Sequence, residues 1–266
     1  MPTLSRKNPR VTAAKLLARD ARMRAEQRRF LVDGPKLVRE ALDAAVEIDE
    51  VFVSPVLASR EGAAGLAEAL TRAGVPLLET DDDMLAEMSG VQVSQGIVAV
   101  ARIPDRVGPD TLVEGEGDLL LAATVQDPGN AGALVRIAAA AGFAGVVADL
   151  GTADFYSPKA VRGSAGAVLR EPAMRVEDLA AFAGRVAWKG GVVIGAVARG
   201  GDKPAKVPLG ERAAIIVGSE GQGLPQQILD ACTARVTIPM AGNVESLNVA
   251  AAAAILCFEV RRRREG

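Results

Sequence analysis

The sequence predicts an α/β protein in two parts, a smaller N-terminal α/β domain and a larger C-terminal domain built on a parallel sheet. Three observations carry this. After residue 118, continuous apolar runs are each followed by a Gly-containing polar loop and then a helical pattern. That is how strands read when helices cover both faces of their sheet. Before residue 104 the runs are shorter, and VSQGIVAVARI shows β-like alternation. Between the two lies RVGPDTLVEGEGD, rich in Gly, Pro and acids, which reads as a linker. The expected division is 1–104, a linker over 105–117, and 118–266. A chain of 266 residues suits two modest domains, each with its own core.

In the first part VTAAKLLARDARMRAEQRRF reads as a basic helix, FLV as a short strand and GPKLVREALDA as a helix. EVFVS and VPLLET read as strands with the helix GLAEALTRAG between them, and VSQGIVAVARI closes the domain. In the second part LLLAATV is a strand leading through DPGNAG into the apolar helix ALVRIAAAAG. GVVADL and GGVVIGAVA are further strands, and SPKAVRGSAGA is a short helical region. AAIIVGSEGQGLP and RVTIPMAGNVESLN then repeat the plan of apolar run, Gly-rich loop and helix.

Composition excludes several chemistries. The chain has no histidine, and its two cysteines, Cys232 and Cys257, form no CxxC. That argues against a zinc site and removes every mechanism with a His general base. Two buried, unbridged thiols are expected. Aromatics make up only 3% of residues, too few for a platform that stacks bases. The apolar runs fall short of the ~18–20 residues a membrane span needs, and no secretory signal is visible. A cytoplasmic protein without membrane or metal partners is expected. Charge is unevenly spread: residues 1–29 hold nine Lys or Arg against Asp20 and Glu26. Arg261 to Arg264 form a second basic run, while 79–87 is acidic. Such asymmetry fits a polyanion meeting one face, or equally a solvated helix and tail.

Ligands of parallel α/β sheets bind at loops beyond the carboxyl ends of the strands. Three such loops carry polar residues in apolar surroundings. In the first, Asn130 is placed as a helix N-cap, and Arg136 is the only charge between Pro128 and Ala148. A lone arginine on so apolar a helix meets an anion, crosses an interface, or snorkels at the surface. In the second, GSEGQGLP, Glu220 is the only charge between Ala213 and Leu229. Gly218, Gly221 and Gly223 let the backbone approach a ligand or take positive φ. The loop is neither a P-loop nor GxGxxG. In the third, Ser246 and Asn248 are expected in the first turn of the helix that follows. Leu247, Ala250, Ala251, Ala254, Ile255 and Phe258 fall on one stripe of that helix, which suits a packed or dimer-facing surface.

The set DPGNAGALVRIAAAAG, IIVGSEGQGLP and IPMAGNVESLNVAAAAAI closely resembles the three motifs of SpoU (TrmH) family RNA ribose 2'-O-methyltransferases, in order and at the family's spacing. SPKAVRGSAGA is similar to the family's intermediate stretch, and FLVDGPKLVREAL to the opening of its N-terminal substrate-binding domain. The resemblance implies a SPOUT fold with a deep trefoil knot, which no spacing argument would suggest. It further implies a homodimer and S-adenosylmethionine as cofactor. By matching positions, the cofactor would meet Gly218, Ile238, Met240, Leu247 and Asn248, and the catalytic set would be Arg136, Asn130, Glu220, Ser246 and Asn248. In such families an arginine, here Arg136, works beside an RNA phosphate and contributes from the partner subunit.

The implied reaction is methylation of an RNA ribose 2'-hydroxyl, with 23S rRNA ranked above transfer RNA because of the additional N-terminal domain. A non-catalytic RNA-binding protein on the same scaffold and a dinucleotide-dependent oxidoreductase are the rival readings. S-adenosylmethionine binding separates them.

Overall fold

The computed structural model describes residues 4–60, 63, 65–219, 221, 223–242 and 246–266. Contacts divide the chain into two compact units, Met1–Asp105 with Tyr156–Arg170, and Arg106–Phe155 with Glu171–Gly266. Elements are numbered along the whole chain.

Unit 1 contains α1 (Pro9–Arg19), α2 (Ala21–Gln27), β1 (Arg29–Asp33), α3 (Pro35–Asp43), β2 (Ile48–Val53), α4 (Leu66–Arg72), β3 (Leu77–Glu79), α5 (Asp82–Ser89) and β4 (Ile97–Arg102). The order in its sheet is β1-β4-β2-β3, with only the β2–β3 pair parallel. The long basic helix expected from the sequence is two helices. Asp20 is extended at φ −116 and its carboxylate accepts from the amides of Arg22 and Met23, starting α2 afresh. The acidic stretch, unassigned from the sequence, is the start of α5. Asp81 caps it, and Asp82 and Asp83 lie in its first turn, where negative charge is favoured. Val11 and Leu17 of α1 pack with Leu31, Phe52, Leu85 and Val98 in one core.

Unit 2 contains α6 (Pro109–Glu114), β5 (Leu119–Ala123), α7 (Pro128–Ala141), β6 (Gly145–Asp149), β7 (Ala173–Val176), α9 (Leu179–Trp188), β8 (Val192–Ala196), β9 (Ala213–Gly218), α10 (Gln226–Ala231), β10 (Ala234–Val236) and α11 (Val249–Glu265). Its six strands are all parallel, in the order β10-β8-β9-β5-β6-β7. Leu119, Leu121 and Ile216 pack against Phe182 and Val186 of α9. This strand and helix, β7 and α9, went unassigned in the sequence. The remaining helix, α8 (Pro158–Gly163), belongs to unit 1.

Residues 105–117 differ from a linker, because α6 is a docked helix. The buried Arg212 guanidinium donates to the carbonyls of Leu112, Val113 and Gly117, and so caps the C-terminal end of α6. Arg185 and Lys189 of the α9 region pair with Asp110 and Glu114, each at 2.7 Å.

Candidate functional site

From β5 the chain runs outward to β7, then returns to fill the other half of the sheet, so β5 and β9 are neighbours where the strand order reverses. Their carboxyl ends form the crevice in which such sheets bind ligands. Two cavities adjoin there, sharing Ser219, Gly221 and Val249 in their walls. The larger, about 520 Å³, brings together Gly218, Ile238, Met240, Ser246 and Leu247. The smaller, about 360 Å³, is lined by Thr124, Gln126 and Asp127 of the loop after β5 and by Asn130 in the first turn of α7.

The loop after β9 turns back tightly, with the Gly223 amide donating to the Ser219 carbonyl at 3.0 Å. Gly223 sits at φ +66, and a Cβ on Gly218 would lie 2.4 Å from the Gly223 oxygen. Both positions therefore require glycine. The loop after β5 starts at Thr124, a non-glycine residue at φ 56. Asp149 holds it by accepting from its amide and hydroxyl, each at 2.9 Å, and from the Thr152 hydroxyl at 2.7 Å.

Asn130 is not the N-cap of α7. Asp127 is, accepting from the Asn130 amide at 2.9 Å, with Pro128 in the first helical position. The Asn130 side chain instead reaches the last helix, its Oδ1 accepting from Asn248 Nδ2 at 3.2 Å. Asn248 is itself the N-cap of α11, its Oδ1 accepting from Ala250 and Ala251. Ser246 precedes the helix rather than lying in its first turn. Glu220, the remaining member of the expected set, lies outside the described residues.

Arg136 lines neither cavity. Six residues after Asn130 on the same helix, it is rotated by roughly 240° from it at about 100° per residue. It is exposed and makes no hydrogen bond or ion pair among the described residues. The α11 stripe foreseen in the sequence is likewise at the surface: Ile255 and Phe258 are 44% and 46% exposed. A second stripe, Val249, Ala253, Leu256, Cys257 and Val260, is the one that packs.

Sequence reasoning missed several residues of these cavities: Arg199, the only charged residue among the described walls of the larger one, and Thr124, Gln126, Asp127 and Ser219. Their signal was position beyond a strand's carboxyl end. Cys257 is buried but Cys232 only half-buried, against the expectation of two buried thiols, and both are free. Burial pushes their pKa values up to about 12 and about 11, so neither is a ready nucleophile. Among the described residues no group of three His, Cys, Asp or Glu could hold a metal ion, and no helix is long and apolar enough to cross a membrane.

Much of the basic charge is internally committed. In unit 1, Arg6 and Lys15 pair with Glu87, Arg10 with Glu50, and Arg29 with Asp49. In unit 2, Arg261 donates to the Ala140 carbonyl at 2.7 Å and Arg263 to Val207 at 2.8 Å. Arg264 joins Asp118 at 2.8 Å. The C-terminal basic run is an anchor for α11.

The SpoU rRNA Methylase family profile matches residues 119–258, and that of the MRM3-like substrate binding domain matches 8–99. A 23S rRNA (guanosine-2'-O)-methyltransferase of Bacillus subtilis is 32% identical over 90% of this chain and 90% of its own. The SpoU methyltransferase AviRb of Streptomyces viridochromogenes, solved with AdoMet, superposes with a TM-score of 0.83 at 26% identity, covering 98% of this chain and 99% of that one. An AdoMet-bound rRNA methyltransferase of Sinorhizobium meliloti gives 0.80 at 29% identity over 98% and 97%. With its three motif loops gathered at one crevice and matches along nearly its whole length, the chain belongs to the SpoU rRNA methylase family.

Proposed function

We propose that this protein transfers a methyl group from S-adenosylmethionine to a ribose 2'-hydroxyl of RNA, with 23S rRNA as the substrate. The observation that carries the reading is the pair of adjoining cavities formed by the family's motif loops at the switch point. The larger one has the size of a small-molecule site, about 300–1,000 Å³. Its Val217, Ile238, Met240 and Leu247 walls suit an adenine, and Arg199 suits a carboxylate. The cofactor supplies an electrophilic methyl on a sulfonium.

The chain's own residues do the rest. Asn130 and Asn248, joined side chain to side chain, shape the wall against which the ribose is oriented. Ser246 lines the larger cavity, and Glu220 completes the set by family position. Arg136 clamps an RNA phosphate and stabilises the developing alkoxide. A guanidinium is a pure donor with no lone pair to accept a proton, which favours clamp over base. Facing away from Asn130, Arg136 serves the partner subunit's site in a homodimer, whose interface takes the exposed Ile255 and Phe258. In this reading the C-terminal segment forms the deep trefoil knot of the SPOUT class, the protein works in the cytoplasm, and unit 1 finds the RNA.

Ribosomal RNA is favoured over transfer RNA by coverage. The Bacillus subtilis relative named for 23S rRNA spans 90% of the chain, while a solved protein titled for methylation on tRNA covers 57% of it. Calorimetry with S-adenosylmethionine and mapping of 2'-O-methylation in RNA from a deletion strain test the proposal together. Binding, with loss of one rRNA ribose methyl, is the expected result. A chain that binds no cofactor would be a non-catalytic member, and loss confined to tRNA would reassign the substrate.

A further inference from the structure

Unit 1 has a cavity of its own, about 240 Å³, lined by Asp33, Gly34, Lys36, Gln95, Arg162 and Ala165 among others. The Asp33 side chain is 3% exposed, yet neither carboxylate oxygen accepts a hydrogen bond. Arg162 Nη1 stands 3.7 Å from Oδ2, beyond hydrogen-bond reach, and donates to the Ser89 carbonyl at 3.3 Å. The Ser89 hydroxyl gives its proton to the Leu85 carbonyl at 2.9 Å. Burial pushes the Asp33 pKa up against the opposing pull of the Arg162 charge. A buried carboxylate with both oxygens unmet costs stability and calls for a ligand or another reason.

The surroundings say what kind of ligand. Asp33 ends β1, Gly34 turns the chain at φ +96, and α3 begins at Pro35. No side chain caps α3, so the donors of its first turn are unclaimed by any cap, and Lys36 adds an exposed ammonium. Ala165, also in the wall, is held at φ 48 without being glycine. The cavity therefore offers two adjacent acceptors next to donors. Among the four RNA bases, guanine alone carries two adjacent N–H donors beside a carbonyl on its Watson–Crick edge.

We propose that this cavity takes a guanine splayed out of the RNA, its N1–H and N2–H donating to the Asp33 carboxylate and its O6 accepting from the start of α3 or Lys36. RNA is read in this way, through unstacked bases presented by their Watson–Crick edges. The carboxylate oxygens are themselves closed to solvent. Gln95, exposed and lying against Gly34, is the side chain that moves aside. This guanosine is a recognition contact, distinct in role from the nucleotide that is methylated. The inference deepens the RNA-modifying reading above and rests on it.

Fluorescence anisotropy on the full chain tests it, with short oligouridylates carrying one central guanosine, inosine or adenosine. Guanosine should bind about tenfold or more tightly than adenosine, the scale of a good bidentate contact. Inosine, which keeps N1–H and lacks the N2 amino group, should fall between. Asp33→Asn keeps the shape but offers a single acceptor, and should bring guanosine and adenosine within about twofold. Equal affinities in the wild type would overturn the proposal, as would an undiminished guanosine preference in Asp33→Asn. Should that variant not fold, the wild-type series decides alone. S-adenosylmethionine affinity measured on the same samples separates the two readings. Cofactor binding without guanosine preference removes only the pocket, and the reverse removes only the methyltransferase activity.

Discussion

Asn248 uses both ends of one amide: its oxygen starts α11 and its nitrogen reaches Asn130 across 118 positions of sequence. Asn248→Ala should lower stability by about 1 kcal/mol through the lost cap, read from denaturant midpoints, and should also slow methyl transfer. Arg136 is different, because among the described residues it makes no hydrogen bond or ion pair. Arg136→Ala should leave the melting temperature and cofactor affinity nearly unchanged while turnover falls by about two orders of magnitude. Arg136→Lys should fail too, since a point charge does not replace the planar fork. Asp33 predicts a pH signature. Its folded pKa lies above the ordinary 3.8, so below that pH both folded and unfolded chains are protonated and there is no cost. As pH rises from 3.8 through the raised folded value, the unfolded chain ionises first and stability falls, then levels. Asp33→Asn should lack that fall in pH-dependent denaturation, and a wild type without it would place Asp33's carboxylate in water. At this scale the sequence was legible where local chemistry decides. Asp127–Pro128 already marks the start of α7, and reading Asn130 as the cap overlooked the proline that fixes it.

Among elements, β5, β8 and β9 were readable because each is an unbroken apolar run, as in the fully buried Leu119–Ala123, whereas Arg175 interrupts β7. What escaped were elements with mixed signals. α6 looked like linker because its Gly and acidic neighbours outweigh Leu112 and Val113, and because the arginine that caps it lies 100 positions away. Arg212→Ala should therefore loosen α6 and cost about 2–3 kcal/mol, since three carbonyls lose a charged donor. Hydrogen exchange localised to 109–117 would check it, and unchanged protection there would mean α6 is held by packing alone. α11 carried two apolar stripes in its sequence, and periodicity alone could not say which faces inward. The arginines after Val260 decide it, tying the helix to Ala140, Val207 and Asp118 from one side.

Across the whole molecule, net charge misled more than it informed. The basic N-terminal stretch and the acidic 79–87 stretch belong to one unit and meet where Arg6 and Lys15 pair with Glu87, while Arg10 and Arg29 pair with Glu50 and Asp49, and no local reading shows these pairs. Exposed pairs of this kind add little stability, but they do withdraw cations from RNA. Substituting Arg10 or Lys15 should change the salt slope of RNA binding by less than one. A contiguous cut at 104 was also too simple, because Tyr156–Arg170 makes its contacts with the first unit. Shared sites would show in mixing: an Arg136→Ala chain and an Asn248→Ala chain, each inactive, should regain one working site per heterodimer. Activity no higher than either parent, with heterodimers confirmed by mass, would mean each subunit acts alone. The Asn130–Asn248 contact has one more consequence, in time rather than space. During synthesis the wall it completes cannot exist until residue 248 and the helix it begins have cleared the ribosome. Every nascent chain is thus without that wall until α11 has emerged, however much of the parallel sheet has already folded.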